Sequence, residues 1–342
     1  MLKKKDRYVV AIIGATGVVG KESLAILDER KFPLGELRLF ASKRSAGERL
    51  SCQNQDWTVE ELTPEGPFDG IDFAFISASE EVSREYAPRL AQAGAIVIDD
   101  SAVFRMDADV PLVVPEVNPN ALDSIPRRII SIPNCTTTPL VMALKPIHQA
   151  ATIKRVVVTT FQSVSGTGAA AMDELLEQTK ALLSFNEVNV TVYPHQIAFN
   201  CLPVVGSFSD AGDCSEESKI VNETRKILGE PTLRLTATTV RVPVFRSHSE
   251  AVNIETARKL SANEARAILS TAPGVLVYDD PSRKVYPMPI DVAGTDEVYV
   301  GRIREDATVP SGLNLWIVAD NLRKGAALNA IQIAEKLTQA AS

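Results

Sequence analysis

Metal-ligating and disulfide-forming residues are scarce in this chain. Its 342 residues include three histidines and four cysteines, and the cysteines form no C-x-x-C pair: Cys52, Cys135, Cys201 and Cys214. Because a protein metal site needs a cluster of such ligands, the sequence predicts no bound metal. Few cysteines without a pairing pattern are typical of a reducing compartment, so we expect a cytoplasmic protein.

Long apolar runs and an excess of positive charge are missing as well. No stretch of eighteen apolar residues occurs, so we expect no membrane span. The net charge of −7 would repel a phosphate backbone, so no nucleic-acid partner is predicted. Residues 1–6 are basic but lack the apolar core of a secretory signal and the Ser/Arg-rich length of a transit peptide.

The order of apolar segments predicts two domains, as does the length of 342 residues. In the first part, strands and helices alternate, which is typical of a parallel sheet with helical crossovers. The expected strands are 8–13, 37–41, 73–77 and 95–99, and the expected helices are 18–29 and 79–93. The fold class is therefore α/β, with a Rossmann-like, doubly wound parallel sheet over residues 1–134.

Residues 135–321 have a different pattern, which predicts a second, α+β domain for catalysis and dimerisation with a mixed, largely antiparallel sheet. Expected strands are 153–161, 233–244, 251–256, 298–303 and 313–319, and expected helices are 169–183, 216–228 and 262–270. An amphipathic helix at 324–337, within the C-terminal segment 322–342, is expected to pack back on the first domain.

A glycine-rich turn follows the first predicted strand and opens the first predicted helix. Its glycines, Gly14, Gly17 and Gly20, have the spacing G-x-x-G-x-x-G. Such glycines allow a tight turn and let backbone N–H groups approach a pyrophosphate at a helix N-terminus. The turn therefore predicts nucleotide binding.

The segment after the second predicted strand indicates which nucleotide is bound. An NAD enzyme usually places an acid there for the ribose hydroxyls, but this chain has Ser42, Lys43, Arg44 and Ser45. A guanidinium and hydroxyls can hold a 2′-phosphate through charge-assisted hydrogen bonds. NADP is thus the predicted cofactor, and a solvated surface turn is the alternative.

Cys135 lies where the first domain gives way to a helix. A threonine can cap that helix, and Pro139 suits its first turn. The positive end of a helix dipole favours thiolate over thiol, and a thiolate attacks acyl carbons. Cys135 is therefore a candidate nucleophile. A buried structural cysteine is the alternative.

Nucleophilic acyl chemistry beside a hydride-transferring cofactor needs a proton shuttle, and histidine suits that role near neutral pH. His148 closes the helix after Cys135, and His195 lies in a loop. His248 follows an apolar strand together with Arg241 and Arg246, which add anion-binding capacity. We expect His248 to be the shuttle.

These motifs, in this order, resemble the aspartate-β-semialdehyde dehydrogenase family over essentially the full length. The matching segments are GATGVVG (14–20), SKRSAG (42–47), DSAVFR (100–105), PNCTT (133–137), QSVSG (162–166), QIAFN (196–200), EESK (216–219), RVPVFRSH (241–248) and DNLRKG (320–325). One segment departs from the family pattern, because Thr136 to Leu140 replaces the usual Ser-Thr and following Ile-Gln. We interpret this as a subgroup difference.

The resemblance implies a role for each matching residue. Cys135 would be the acyl-enzyme nucleophile, His248 the general acid/base and Gln162 the residue orienting the substrate. Arg241 would hold the substrate carboxylate and Glu216 its ammonium. The implied phosphate-binding residues are Arg105, Asn134 and Lys219. The implied NADP contacts are Gly14, Thr16, Gly17, Val18, Val19, Ser42, Arg44, Ser45, Ser165, Gly166 and Asn321.

The implied reaction is NADPH-dependent reduction of L-4-aspartyl phosphate to L-aspartate 4-semialdehyde, through a cysteine thioester, in lysine/diaminopimelate, threonine, methionine and isoleucine biosynthesis. The implied assembly is a homodimer or homotetramer. N-acetyl-γ-glutamyl-phosphate reductase is an alternative with the same chemistry, but its substrate has no free ammonium for Glu216. The other alternative, a catalytically silent nucleotide-binding relative, would be expected to have lost Cys135 or His248.

Overall fold

The computed structural model describes residues 3–340. The strands are β1 (Tyr8–Ile13), β2 (Leu34–Ala41), β3 (Arg49–Cys52), β4 (Gln55–Glu61), β5 (Phe73–Ile76), β6 (Ile96–Asp99), β7 (Ile129–Ser131), β8 (Ile153–Gln162), β9 (Arg234–Arg241), β10 (His248–Thr256), β11 (Val275–Val277), β12 (Val298–Asp306) and β13 (Gly312–Ala319). The α-helices are α1 (Val18–Glu29), α2 (Glu80–Gln92), α3 (Thr137–Ala151), α4 (Ala169–Leu183), α5 (Ser215–Leu228), α6 (Ala262–Ser270), α7 (Pro289–Val292) and α8 (Leu328–Ala340).

Tertiary contacts divide the chain into two units. The first unit runs up to Asn134 and resumes at Ala326, and the second unit is Cys135–Gly325. Among the described residues, no helix is long and apolar enough to cross a membrane.

The first unit contains the predicted doubly wound sheet, with strand order β3-β4-β2-β1-β5-β6-β7. Its strands are parallel except for the β3–β4 pair. Successive residues of β1 face opposite sides of the sheet, so Ile12 and Ile13 belong to two separate apolar cores. Burial on both faces explains why β1, β5 and β6 are continuous apolar runs in the sequence.

Helix α8 completes one of these two cores. Its buried residues Leu328, Ile331 and Ile333 pack in the same cluster as Ile12 of β1. The predicted start of this helix at residue 324 is wrong, because Arg323–Ala327 forms a π-helical turn before α8 begins. A π turn of this kind is often found at a functional site.

The second unit contains a mixed sheet in the order β11-β12-β13-β10-β8-β9. Strand β10 is antiparallel to β8 and β13, and β12 is antiparallel to β13, whereas β8–β9 and β11–β12 are parallel pairs. The predicted mixed, largely antiparallel sheet is confirmed.

Two strand boundaries near His248 differ from the prediction. Strand β9 ends at Arg241 rather than at residue 244, since Pro243 has no N–H to donate to a strand ladder. Strand β10 begins at His248 rather than at residue 251, because Ser247 takes a positive φ of 73° and turns the chain into the sheet. His248 is therefore the first residue of a central strand and not part of a loop.

Candidate active site

Cys135 directly precedes the N-terminus of α3. Thr136 is the N-cap residue, as predicted, but its side chain makes no capping hydrogen bond to the first turn. The first backbone N–H groups of α3 therefore keep the partial positive charge of an uncapped helix start. A Cβ atom on Gly325 would lie 3.0 Å from Cβ of Cys135, so a side chain at position 325 would crowd the cysteine.

The four cysteines have different environments. Cys135 is partly exposed, Cys201 is exposed, and Cys52 and Cys214 are buried. Burial raises the pKa of the Cys52 thiol to about 11, with a smaller contribution from the Asp28 carboxylate. Cys52 is therefore a thiol at neutral pH, and only Cys135 and Cys201 are accessible to a substrate or reagent.

Polar side chains on β8 and α5 form a hydrogen-bonded chain inside the second unit. The Thr160 hydroxyl donates to Oε1 of Gln162 at 3.1 Å, and Nε2 of Gln162 donates to Oε1 of Glu216 at 3.0 Å. Nζ of Lys219 donates to Oε2 of Glu216 at 3.4 Å, one helical turn along α5. The structure thus brings together three predicted site residues: Gln162, Glu216 and Lys219.

His248 is 1% exposed, and its two ring nitrogens have different surroundings. Nδ1 accepts a hydrogen bond from the backbone N–H of Ser163 at 3.0 Å. Nε2 has no hydrogen-bond partner among the described residues. Burial, assisted by the nearby Arg241 guanidinium, lowers the pKa of His248 from 6.5 to about 3. The ring is therefore neutral in this structure, with Nε2 as its available nitrogen.

Arg241 lies beside His248 and pairs in register with Gln162 on the neighbouring strand. Its Nη1 donates to the backbone carbonyl of Ser163 at 2.7 Å, and its guanidinium lies 6.0 Å from the ring of Tyr193. A Cβ on Gly166 would lie 3.2 Å from Nη1 of Arg241 and 3.3 Å from Nε2 of His248. The missing side chain of Gly166 therefore leaves space at both groups.

Ser165 and Asn321, predicted as cofactor contacts, are buried on the other side of the same network. Oδ1 of Asn321 accepts from the Ser165 hydroxyl at 3.1 Å, the Ser163 hydroxyl at 3.3 Å and the Ser247 backbone N–H at 2.9 Å. These bonds connect both residues to His248 through Ser163. The sequence analysis missed Ser163, although its place between Gln162 and Ser165 in a matching motif could have indicated it.

Glu250 is a second residue that the sequence analysis missed. It lies two positions after His248 on β10, so both side chains project from the same face of the sheet. Glu250 is 1% exposed, and its carboxyl oxygens have no hydrogen-bond partner among the described residues. Burial raises its pKa well above the usual value and so favours the neutral carboxylic acid over the carboxylate.

The glycine turn of the first unit has the geometry that a nucleotide pyrophosphate requires. Gly14 has a φ of +86°, and a Cβ there would lie 2.2 Å from the Ser77 carbonyl oxygen, so only glycine fits. Gly17 is the N-cap of α1, with no side-chain cap and no acid in the first turn, which includes Val18 and Val19. The amides at this helix start are thus suited to an anionic group.

The predicted 2′-phosphate segment forms a 3-10 turn directly after β2. The turn is Lys43–Ser45, with Ser42 as its N-cap. The Thr16 hydroxyl donates to Oγ of Ser45 at 3.3 Å, which joins this turn to the glycine turn. Arg44 is exposed beside them. The structure therefore brings the predicted cofactor residues of the first unit together.

The predicted phosphate-binding residues are divided between the two units. Arg105 and Asn134 belong to the first unit, and Lys219 belongs to the second. Arg105 is 5% exposed and donates to the carbonyl oxygen of Asp100 at 2.7 Å. The guanidinium is thus held in a fixed orientation within its own unit.

Comparison with known proteins identifies both halves of the chain. Residues 9–125 match the family model described as semialdehyde dehydrogenase, NAD binding domain, and residues 144–324 match semialdehyde dehydrogenase, dimerisation domain.

Similar full-length sequences include the aspartate-semialdehyde dehydrogenase of Aquifex aeolicus, 51% identical over 97% of this chain and 98% of that protein. The enzyme of Bacillus subtilis is 46% identical over 96% of both chains.

Two solved structures of this kind contain ligands. Aspartate semialdehyde dehydrogenase II of Vibrio cholerae, complexed with ASA, has a TM-score of 0.95 and 44% identity, covering 98% of this chain and 99% of that one. The Candida albicans enzyme with NADP has a TM-score of 0.77 and 27% identity, covering 97% and 98%. With both family models matched and relatives near 50% identity along nearly the whole length, this chain belongs to the aspartate-semialdehyde dehydrogenase family.

Proposed function

We propose that the enzyme reduces L-4-aspartyl phosphate to L-aspartate 4-semialdehyde with NADPH, by way of a thioester on Cys135. The observation that carries the proposal is the polar cluster of the second unit. There a buried carboxylate, Glu216, and a buried guanidinium, Arg241, flank Gln162 on adjacent elements. An amino acid with a free ammonium and a free α-carboxylate presents the complementary pair of charges.

The ammonium requirement favours the aspartyl substrate over an N-acylated one. Glu216 already accepts from Lys219 and Gln162, so a substrate ammonium would join an existing network of donors around this carboxylate. An N-acetyl group brings no charge to satisfy Glu216 and adds bulk beside it. This supports aspartate semialdehyde rather than N-acetylglutamate semialdehyde as the product.

In the proposed reaction, the Cys135 thiolate attacks the acyl carbon and phosphate leaves. Arg105, Asn134 and Lys219 would bind the departing phosphate and offset its charge. NADPH, when bound, supplies the hydride that reduces the thioester. The C–S bond of the reduced thioester then breaks, the oxygen on that carbon becomes the aldehyde carbonyl, and His248 gives a proton from Nε2 to the departing sulfur of Cys135.

Arg241 also affects the proton chemistry in this scheme. Its positive charge is the second cause, after burial, of the low pKa of His248. A substrate carboxylate bound to Arg241 would offset that charge, because opposite charges cancel at close range. We therefore expect substrate binding to raise the pKa of His248 toward neutrality, where a proton shuttle works best.

The test is phosphate-dependent reduction of NADP by the purified chain with L-aspartate 4-semialdehyde, which runs the reaction in reverse. N-acetyl-L-glutamate 5-semialdehyde serves as the control substrate. We expect turnover with the first aldehyde, dependence on phosphate, and little turnover with the second. Preference for the N-acetylated aldehyde would contradict the proposal.

Cys135→Ala should abolish this turnover while NADP binding is kept, since the nucleophile and the glycine turn are separate elements. An alkylating agent should modify Cys135 faster than Cys52, Cys201 or Cys214. Cys201 is the informative comparison, because it is exposed whereas Cys52 and Cys214 are buried. Turnover by Cys135→Ala, or equal labelling of Cys135 and Cys201, would exclude an activated thiolate.

The NADP preference has its own test in Arg44→Ala, with the neighbouring exposed cation replaced in Lys43→Ala as the matched control. A charge-assisted hydrogen bond contributes about 1.5–3 kcal/mol, or roughly one to two powers of ten in affinity. The KM for NADP should rise by about that factor only in Arg44→Ala, with the KM for NAD unchanged. A parallel loss of both cofactors would mean that Arg44 supports the turn instead.

A further inference from the structure

Ser163 is the centre of a buried network behind the ring of His248. Its backbone N–H donates to Nδ1 of His248 at 3.0 Å, and its carbonyl accepts from Nη1 of Arg241 at 2.7 Å. Its hydroxyl lies 3.1 Å from the same Nδ1. Ser163 is fully buried, so water does not compete for these contacts. One residue thus holds both the expected proton shuttle and the expected carboxylate-binding arginine.

The backbone contact determines where the neutral ring carries its proton. A nitrogen that accepts from a backbone N–H has no proton of its own, so the neutral imidazole is protonated at Nε2. A ring in this form cannot accept a proton at Nε2. It can become an imidazolium, the form that gives up a proton readily, only if Nδ1 exchanges the hydrogen bond from the Ser163 N–H for one to an acceptor of its new proton.

The Ser163 hydroxyl is a side-chain acceptor within hydrogen-bond distance of Nδ1, at 3.1 Å. It can accept there only if it donates its own proton elsewhere, and Oδ1 of Asn321 is available at 3.3 Å. The orientation of that amide is fixed, because the Ser247 backbone N–H must donate to its oxygen. The Ser165 hydroxyl, 3.0 Å from Ser163, donates to the same oxygen.

We propose that Ser163 is a positioning residue whose hydroxyl accepts a hydrogen bond from protonated Nδ1 of His248 and so allows the ring to work as an acid and a base at Nε2. This inference rests on the proposed function of His248. When Nε2 of the imidazolium gives its proton to the departing sulfur of Cys135, the remaining Nδ1 proton stays hydrogen-bonded to Ser163. Nε2 then has a free lone pair that can accept the thiol proton of Cys135 in the next cycle. The hydroxyl proton of Ser163 remains on Ser163 throughout.

The test compares Ser163→Ala with Ser249→Ala in the full-length enzyme. Ser249 is the matched control, since it is a buried serine next to His248 whose side chain lies on the other face of β10. Ser163→Ala keeps the backbone groups of residue 163 and removes only the hydroxyl. We expect kcat to fall about 10- to 100-fold, a part of the 10²–10⁴ that a general acid/base contributes. The KM for semialdehyde and phosphate should stay within about twofold, and Ser249→Ala should behave as wild type.

A second measurement does not depend on turnover. The chain has three histidines, so ¹⁵N-histidine labelling gives a simple imidazole spectrum in which His248→Asn identifies the His248 signals. Ser163→Ala should shift the His248 Nδ1 resonance and leave those of His148 and His195 in place. An unchanged Nδ1 resonance, or kcat within twofold of wild type, would overturn the proposal. If the KM for semialdehyde rises together with the fall in kcat, the substitution has disturbed carboxylate binding by Arg241. That result would overturn the proposal as well.

If wild-type enzyme instead lacks semialdehyde activity, the function proposed above fails. The resonance then still reports whether the Ser163 hydroxyl contacts Nδ1.

Discussion

At the scale of single residues, the second unit buries neutral and charged groups side by side. Gly166 has no side chain, so the space beside Arg241 and His248 is open, and under the proposed function the substrate would approach both groups there. Glu250 and His248 project from one face of β10, and burial keeps both uncharged. The properties of this site therefore depend on the missing side chain of Gly166 and on the uncharged forms of Glu250 and His248, as well as on the charge of Arg241.

Gly166→Ala tests the space at Arg241 and His248. The added methyl group would stand 3.2–3.4 Å from both side chains, closer than a relaxed contact, so each must move by a few tenths of an ångström. Because catalytic groups tolerate little misplacement, we expect kcat/KM for the semialdehyde to fall about tenfold or more. The melting temperature should change little. Wild-type kcat/KM in a folded variant would show that this space is not used.

Glu250→Gln tests the buried carboxylic acid through the pH dependence of stability. The pKa of Glu250 is raised in the folded state, so folding takes up a proton above the ordinary glutamate pKa. Its contribution to stability is therefore present at low pH and is lost as pH rises, by up to about 1.4 kcal/mol per pH unit. The variant should lose less stability than wild type between about pH 5 and 8, measured by denaturant unfolding.

His248 contributes to the same curves with the opposite sign, since its pKa is lowered by folding. Its stabilisation is present above about pH 6.5, the ordinary histidine pKa, and is lost as pH falls. This contribution is common to wild type and Glu250→Gln, so it cancels in the difference between them. Parallel curves for the two proteins would mean that Glu250 is not a buried neutral acid.

At the scale of elements, helix α4 holds a loop that contacts the site. The Glu174 carboxylate accepts from Thr191 N–H and hydroxyl at 2.8 and 2.6 Å, and from the backbone N–H groups of Val192 and Tyr193 at 2.5 and 3.4 Å. Burial would raise the pKa of Glu174, but these hydrogen bonds outweigh it and hold the pKa below its usual value. The ring of Tyr193 reaches Arg241 from this loop.

Glu174→Gln should loosen that loop, because an amide offers its donors fewer and weaker bonds than a carboxylate does. We expect a lower melting temperature and a KM for the semialdehyde raised several-fold, with a smaller effect on kcat. Glu177→Gln is the matched control, since Glu177 is exposed one turn along α4 and pairs only with Lys180 at the surface. Equal effects of the two substitutions would mean that the loop held by Glu174 does not contribute to substrate binding.

The helices and strands show how much of the secondary structure could be predicted from the sequence. Strands buried on both faces, such as β1, appear as apolar runs, and α1, α4 and α6 have the predicted bounds. The β3–β4 hairpin was missed because most of its residues are exposed, so the apolar pattern is weak. The start of β10 depends on the Ser247 turn and its bond to Asn321, 74 residues away, which no local pattern contains.

Local sequence patterns could not predict the side-chain contacts near the site either. The residue types at Cys135 and His248 predicted the chemistry and the resemblance added Gln162, but the part proposed for Ser163 follows from a contact across 85 residues. The neutral state of Glu250 follows from burial, which the alternation along a strand does not measure. Roles assigned through the resemblance remain predictions until the variants above are measured.

At the scale of the whole molecule, the exposed apolar side chains are unevenly distributed. Among the described residues, Met106 is the one large exposed apolar side chain of the first unit, and all the others belong to the second. The second unit exposes Phe185 by 99%, Ile290 by 83% and Phe208 by 69%. Exposed apolar groups in such number are typical of an interface, and residues 144–324 match a dimerisation domain.

We therefore expect the enzyme to assemble through its second unit. Sedimentation equilibrium should give at least twice the chain mass of 37.0 kDa. Added salt should not dissociate the assembly, because apolar contacts are not screened as charges are. A mass of one chain at micromolar concentration would contradict this expectation, and dissociation by salt would show an interface of charged groups instead.

The placement of α8 affects how the protein is made. The ribosome delivers the strands of the first sheet before the second unit, but Leu328, Ile331 and Ile333, which cover one of its apolar faces, emerge only after that unit. The whole of the second unit is synthesised in between, as one continuous stretch. A nascent chain that has reached residue 325 therefore has every residue of the second unit, while the sheet made first still exposes the apolar face that α8 will cover.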